Sequence, residues 1–164
     1  MARCTRSQAL ATLAGALAAG AFASPALAAD EPFVRTDAQW RRRLSAAQYA
    51  VLRRDGTEQA GSSPLDLEHR AGTYRCAGCD LALFSSATKF DSGTGWPSFW
   101  APLAHAVATR IDRSLLDDRT EVHCRRCSGH LGHVFDDGPP PTHLRYCMNG
   151  VALRFVRAQG SPRG

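Results

Sequence analysis

From Thr73 onward the chain falls into short runs in which apolar and polar residues tend to alternate. They are TYRC (73–76), LALF (81–84), HAVATRI (105–111), RTEVHC (119–124), GHVF (132–135) and VALRFV (151–156). Gly, Pro or Asp separates them, and a period of two puts successive side chains on opposite faces of a strand. No long helical period follows Arg54, beyond one turn expected over Ser114–Asp118. Ahead of the strands, Thr36-Asp37-Ala38-Gln39 and Ser45-Ala46-Ala47-Gln48 each carry a hydroxyl three residues before a glutamine. That is a capping box, in which the hydroxyl accepts the N3 amide and the glutamine reaches back to the cap. Two short helices are therefore expected, Asp37–Arg43 and Ala46–Arg54, the second stopping near Gly56. Trp40, Leu44, Tyr49 and Leu52 form their apolar face. The stretch 56–72, rich in Gly, Ser and Pro, is a loop. The fold expected is mainly β, an antiparallel core with short helices on its N-terminal side.

The first 28 residues break this pattern. Arg3 and Arg6 precede an Ala/Leu/Gly-rich run from Ala9 to Ala23, and Ala26-Leu27-Ala28 has the small-x-small form of a cleavage site. The run lacks an amphipathic period, so 1–28 reads as a signal peptide and 29–164 as the functional domain. The protein is then exported, with a periplasmic destination expected. Arg6-Ser7 lacks the paired arginines of a twin-arginine leader, which leaves the route open. The whole chain has 164 residues and a net charge of +5. The leader takes two arginines and no acid, so the remainder is only mildly basic. Beyond Arg41-Arg42-Arg43 there is no dense basic block, which argues against a nucleic-acid binder. No other apolar run approaches a membrane span. The default for assembly is a monomer.

Of six cysteines, Cys4 leaves with the leader. Four more form two pairs, Cys76-Ala77-Gly78-Cys79 and Cys124-Arg125-Arg126-Cys127. Two residues between thiols let both sulfurs reach one tetrahedral ion, and two such pairs make a closed four-thiolate zinc site. Disulfides are the alternative in an oxidising compartment, although a Cys-x-x-Cys bridge closes a short loop and stabilises little.

Cys147 is left over, in His143–Phe155 (HLRYCMNGVALRF). On a strand, Arg145 and Asn149 share its face. A nearby cation favours the nucleophilic thiolate. His130-Leu131-Gly132-His133 supplies two imidazoles that titrate near neutrality and suit proton transfer. The turn Asp91-Ser92-Gly93-Thr94-Gly95-Trp96-Pro97-Ser98-Phe99-Trp100 presents aromatics. Trp96, fixed between Gly95 and Pro97, suits a pocket wall, whereas Phe99 reads first as core.

Taken in order, YRCAGC, KFDSGTGWPSFW, CSGHLGHVFDDGP, RYCMN and ALRF make the chain resemble the B-type methionine sulfoxide reductases, which reduce the R epimer of methionine sulfoxide. The resemblance runs from Gly72 to Val156 and extends to the helices through VLRRDGTE. It implies a β-tent of antiparallel sheets with a structural zinc on Cys76, Cys79, Cys124 and Cys127. It implies Cys147 as nucleophile, with His130, His133, Asp137 and Asn149 as catalytic partners and Trp96, Phe99 and Arg145 as substrate contacts. Asp137 enters on the resemblance alone. The implied substrate is an oxidised protein or peptide, and the implied product on the enzyme is a sulfenic acid.

Two positions depart from the family. Many relatives carry a resolving cysteine in the turn before the tryptophan, where this chain has Thr94. With the other four thiols committed to metal, an external thiol must reduce Cys147: a thioredoxin-like protein, glutaredoxin with glutathione, or an exported dithiol system. The family also often has Ser where Gly150 stands. Two rival functions remain at this stage. A zinc-ribbon binding module predicts an inert Cys147. A disulfide-stapled extracellular interaction domain predicts no metal.

Overall fold

The computed structural model describes residues 33–113 and 118–159. The expected leader and Cys4, and the expected turn over Ser114–Asp118 apart from its last residue, lie outside them.

The two helices fall where their caps place them: α1 (Asp37–Arg43) and α2 (Ala46–Arg54). Both capping boxes are complete, with Thr36 accepting from Gln39 and Ser45 from Gln48. Asp55 ends α2 in the left-handed conformation, just before Gly56. Trp40, Leu44, Tyr49 and Leu52 are buried, and Val51 joins them.

The strands follow as β1 (Gly72–Cys76), β2 (Ala82–Ser85), β3 (Lys89–Phe90), β4 (Ser98–Phe99), β5 (Val107–Asp112), β6 (Arg119–Cys124), β7 (His130–Phe135), β8 (Arg145–Met148) and β9 (Leu153–Arg157). They make two antiparallel sheets, β2-β1-β9 and β3-β4-β8-β7-β6-β5. The mainly β architecture expected from the alternation is the one observed. The expected run Val151–Val156 begins as a single 3₁₀ turn, Gly150–Ala152, before β9.

Aromatic rings join the sheets. Phe84 of β2 stacks on Phe99 of β4 at 4.4 Å, and Tyr74 of β1 meets Phe99 edge-on at 4.9 Å. Phe155 of β9 packs on Tyr74 at 5.0 Å, and Tyr146 of β8 lies 5.9 Å from Phe84. Each such pair adds roughly 0.5–1.5 kcal/mol beyond the area it buries. This cluster fixes one face of β4 and β8 as core. Because side chains alternate, the other face of the same strands is free for chemistry. Gly132 lets β7 and β8 approach closely, since a side chain there would collide with the Cys147 carbonyl.

Candidate active site and metal centre

The two Cys-x-x-Cys segments, far apart in the chain, fold as the same turn. Cys76 ends β1 and Cys124 ends β6. In each, the residue after the second cysteine donates its amide to the first cysteine's carbonyl: Asp80 to Cys76 and Ser128 to Cys124, both at 2.8 Å. In each, that residue is left-handed, φ 65° at Asp80 and 55° at Ser128. The first cysteine's amide closes the turn on Leu81 and on Gly129.

All four sulfurs are buried and free of disulfides. They lie within 4.8 Å of one another, with Cys76–Cys127 at 3.7 Å and Cys79–Cys124 at 3.5 Å. A tetrahedron of sulfurs about 2.3 Å from a metal has edges of about 3.8 Å. The cluster therefore fits one closed tetrahedral ion, and its four cysteines form no disulfide. Sulfurs this close share protons. Contact with their neighbours holds Cys79 and Cys124 below the ordinary thiol range and Cys76 and Cys127 above it. Ionised ligands are what a metal requires.

Cys147 lies apart from this cluster, half-buried on β8. Strand register explains its neighbours. Ser98 of β4 stands opposite Cys147, and Cys147 stands opposite His133 of β7. His133 stands opposite Glu121 of β6, and Glu121 opposite Arg110 of β5. One row of side chains thus crosses five strands on the face turned away from the aromatic core. One step along, Phe135 pairs with Arg145, whose guanidinium lies 4.4 Å over the Phe135 ring.

A small cleft of about 140 Å³ opens at this row, lined by Thr57, Trp96, Arg119, Gly132, His133, Phe135, Cys147 and Asn149. Glu58 builds its rim. The Glu58 carbonyl accepts from Trp96 Nε1 at 3.2 Å, and its amide donates to Asn149 Oδ1 at 2.9 Å. Its carboxylate accepts the amides of Gly150 at 2.5 Å and Val151 at 2.8 Å. A side chain at Gly150 would run into Ser63. In this chain Ser63 fills the space that a serine at 150 would take.

Thr94 Oγ1 lies 3.9 Å from Cys147 Sγ. Ser92 Oγ is 2.8 Å from both Thr94 Oγ1 and Ser98 Oγ, and Ser98 donates to the Trp96 carbonyl at 3.1 Å. The sulfur therefore faces a string of hydroxyls rather than a second thiol.

Charge at the cleft departs from the simple expectation. Arg145 does face Cys147, yet its guanidinium is held by both oxygens of Asp137, each at 2.8 Å. Burial pushes the Cys147 thiol above its ordinary value; the Thr94 hydroxyl, the Arg145 charge and the Ser98 hydroxyl pull it down without prevailing. Burial therefore favours the protonated sulfur, against the thiolate that a neighbouring cation favours. Burial likewise lowers His133 below its ordinary value, against the pull of Asp112. Burial thus works against charge on both the sulfur and the imidazole that stands opposite it.

Trp96, His133, Cys147 and Asn149 come together at the cleft, as the sequence suggested. His130 stands one layer back. It is 2% exposed, with Nδ1 bonded to Glu121 Oε1 at 2.9 Å and its ring 5.4 Å from that of His133. Asp137 touches the site through Arg145. Asn149 is fixed at both ends of its amide, accepting from Glu58 and donating to the Leu131 carbonyl at 3.0 Å. Phe99 is fully buried in the aromatic core and does not line the cleft, because its neighbour Ser98 takes the cleft side of β4. Thr57, Glu58, Asp112, Arg119, Glu121 and Phe135 were not singled out from sequence. A glutamate inside the strand-like run RTEVHC is the one local signal by which Glu121 could have been found.

With this geometry in hand, comparison with known proteins is specific. The SelR domain model matches residues 44–157. A protein named peptide methionine sulfoxide reductase MsrB from Thiobacillus denitrificans is 55% identical over 130 residues, which is 79% of this chain and 97% of that one. Like-named proteins of Bradyrhizobium diazoefficiens and Pseudomonas putida are 55% identical over 127 residues and 53% over 129. Those matches span 77% of this chain in both cases, and 91% and 96% of the relatives. The chain belongs to the SelR-domain family of B-type peptide methionine sulfoxide reductases.

Proposed function

We propose that this protein is an enzyme that reduces the R epimer of methionine sulfoxide in oxidised proteins, with Cys147 as nucleophile and an external thiol as reductant. The observation that carries the reading is the opposition of Cys147 and His133 across β8 and β7, at a cleft walled by Trp96.

The starting protonation state suits the reaction. Thiol plus sulfoxide gives sulfenic acid plus thioether, and the one proton needed at the sulfoxide oxygen is the one the thiol carries. His133 takes that proton as the Cys147 sulfur bonds to the sulfoxide sulfur. The imidazolium then delivers it to the oxygen. Transfer of the hydroxyl to Cys147 breaks the oxygen's bond to the substrate sulfur and, with it, the newly formed sulfur–sulfur bond, so that methionine leaves and Cys147 is left as sulfenic acid. Trp96 offers an apolar wall for the S-methyl group. Asn149 lines the cleft, Arg145 stands beside Cys147 and is held by Asp137, and His130 backs His133.

Thr94, not a thiol, adjoins Cys147. One external thiol therefore displaces water from the sulfenic acid to form a mixed disulfide, and a second releases it. A thioredoxin-like protein or glutathione fits that role.

We assign zinc to Cys76, Cys79, Cys124 and Cys127. Four thiolates in a closed tetrahedron leave no position for water, so the ion acts in folding rather than in chemistry. The leader over residues 1–28 supports export to the periplasm. A mature protein starting elsewhere than Ala29 would remove that support, and N-terminal sequencing reads it. The protein is taken to act as a monomer. The deciding experiment presents a peptide carrying separated R and S sulfoxide epimers, with dithiothreitol as reductant. Turnover confined to the R epimer is expected; equal turnover, or none, overturns the reading.

A further inference from the structure

Two histidines of β7 are each gripped by a carboxylate, and each carboxylate is gripped by an arginine. Asp112 Oδ2 receives both His133 Nε2 at 2.8 Å and Arg119 Nη2 at 2.7 Å. Asp112 and Arg119 are the last register pair of β5 and β6, so the strands themselves set this bridge. In the other assembly, Glu121 receives His130 Nδ1 at 2.9 Å and bonds Arg110 through two contacts. The two rings are held by opposite nitrogens. A carboxylate accepts only, so the bonded ring nitrogen carries the proton. His133 then keeps its proton on Nε2 and His130 on Nδ1. The remaining nitrogen of His130 is buried without a partner. That of His133, Nδ1, is left for the cleft that His133 lines together with Cys147.

We propose that Asp112, clamped by Arg119, is a positioning residue for the reaction. It fixes the His133 tautomer so that Nδ1 is free to take the Cys147 proton, and its charge steadies the imidazolium formed in between. The inference rests on the proposed reductase chemistry but makes a separate claim. The charge balance is local. Arg119 already neutralises part of Asp112, so the imidazolium forms against a carboxylate that does not itself become protonated. The titratable and charged groups around His133 are Arg110 and Asp112 on β5, Arg113 just after it, Arg119 and Glu121 on β6, His130 on β7, Arg145 and Cys147 on β8, and Asp55 at the end of α2. Among them Asp112 alone shares a hydrogen bond with its ring. Its bond and charge both raise the basicity of His133 against burial.

The test uses the metal-loaded protein with ¹⁵N-labelled histidine. In the unaltered protein, ring ¹⁵N shifts near pH 7 should report the proton of His133 on Nε2; a proton on Nδ1 overturns the inference without any variant. Asp112→Asn should mix the tautomers, move the His133 titration to lower pH, and cut kcat on the order of 10²–10⁴-fold, the upper end being the cost of removing the carboxylate that orients a catalytic imidazole. Asp112→Glu should restore the titration midpoint and part of the rate. Asp112→Asn with an unchanged tautomer, pH profile and rate would also overturn it. If the unaltered protein shows the tautomer but leaves methionine sulfoxide untouched, the reductase reading fails and the positioning geometry stands.

Discussion

The two settings in which the described residues hold cysteine differ in burial, in neighbours and in access. At the four-cysteine centre the sulfurs are buried, within 4.8 Å of one another, and held in two matching turns. At Cys147 a single sulfur is half-buried beside an imidazole, an arginine and a hydroxyl, at a cleft. The first environment suits ligation by thiolates and denies them a substrate. The second, by burial, favours the protonated form of a sulfur that a cleft leaves within reach. On the proposed reading reactivity follows position, not residue type: the same side chain serves as a staple at Cys76, Cys79, Cys124 and Cys127 and as a nucleophile at Cys147.

Substitutions break this contrast at different depths. Cys147→Ser should lower sulfoxide reduction by more than about a thousandfold, since oxygen cannot replace sulfur as the acceptor of the transferred hydroxyl. Metal content and the unfolding midpoint should stay as they were, and loss of metal would show that the two regions are not independent. Cys124→Ser, or a chelator strong enough to strip the ion, should do the reverse. It should destabilise the fold by several kcal/mol, because structural-zinc binding, worth roughly 10–16 kcal/mol in small zinc domains, is folding energy. Denaturant unfolding with metal analysis reads this; an unchanged midpoint after metal removal would dismiss the structural role.

His133→Gln should reduce the rate by about 10²–10⁴-fold, the range expected for loss of an acid–base group. It should leave the metal in place. The smallest effect concerns pH and stability. His133 has a folded value held below its ordinary 6.5 by burial. Its stabilising contribution is therefore present above 6.5 and lost as the pH falls through the lowered value, where the unfolded chain binds the proton more readily. Replacing it with Gln should flatten the decline of stability on acidification, by less than about 1 kcal/mol for a half-buried group. A steeper decline in the variant would contradict the sign.

Elements written in local code were legible from sequence. Thr36 and Ser45 mark both helix starts because a cap is satisfied within three residues. The longer strands announce themselves by alternation. β3 and β4 do not, because two-residue strands exist only through their partners, here β8 for Ser98 and Phe99. The same limit applies at the site. Cys147, Arg145 and Asn149 could be grouped by counting in twos along one strand. Asp112 and Glu121 could not, because what brings them to His133 and His130 is register across β5, β6 and β7, with a bulge at Val122/His123. Arg145 shows a third limit. Its face was legible, but its commitment to Asp137 and the burial that outweighs its charge depend on the folded surroundings of the sulfur.

The division of labour between one reactive and four bound sulfurs is tested most directly by intact-protein mass spectrometry under native conditions. The protein receives one equivalent of a peptide methionine-R-sulfoxide and no thiol. The account predicts a gain of one oxygen confined to Cys147, with the metal still bound. A loss of two hydrogens, or oxidation of the other four cysteines with release of the metal, would contradict it.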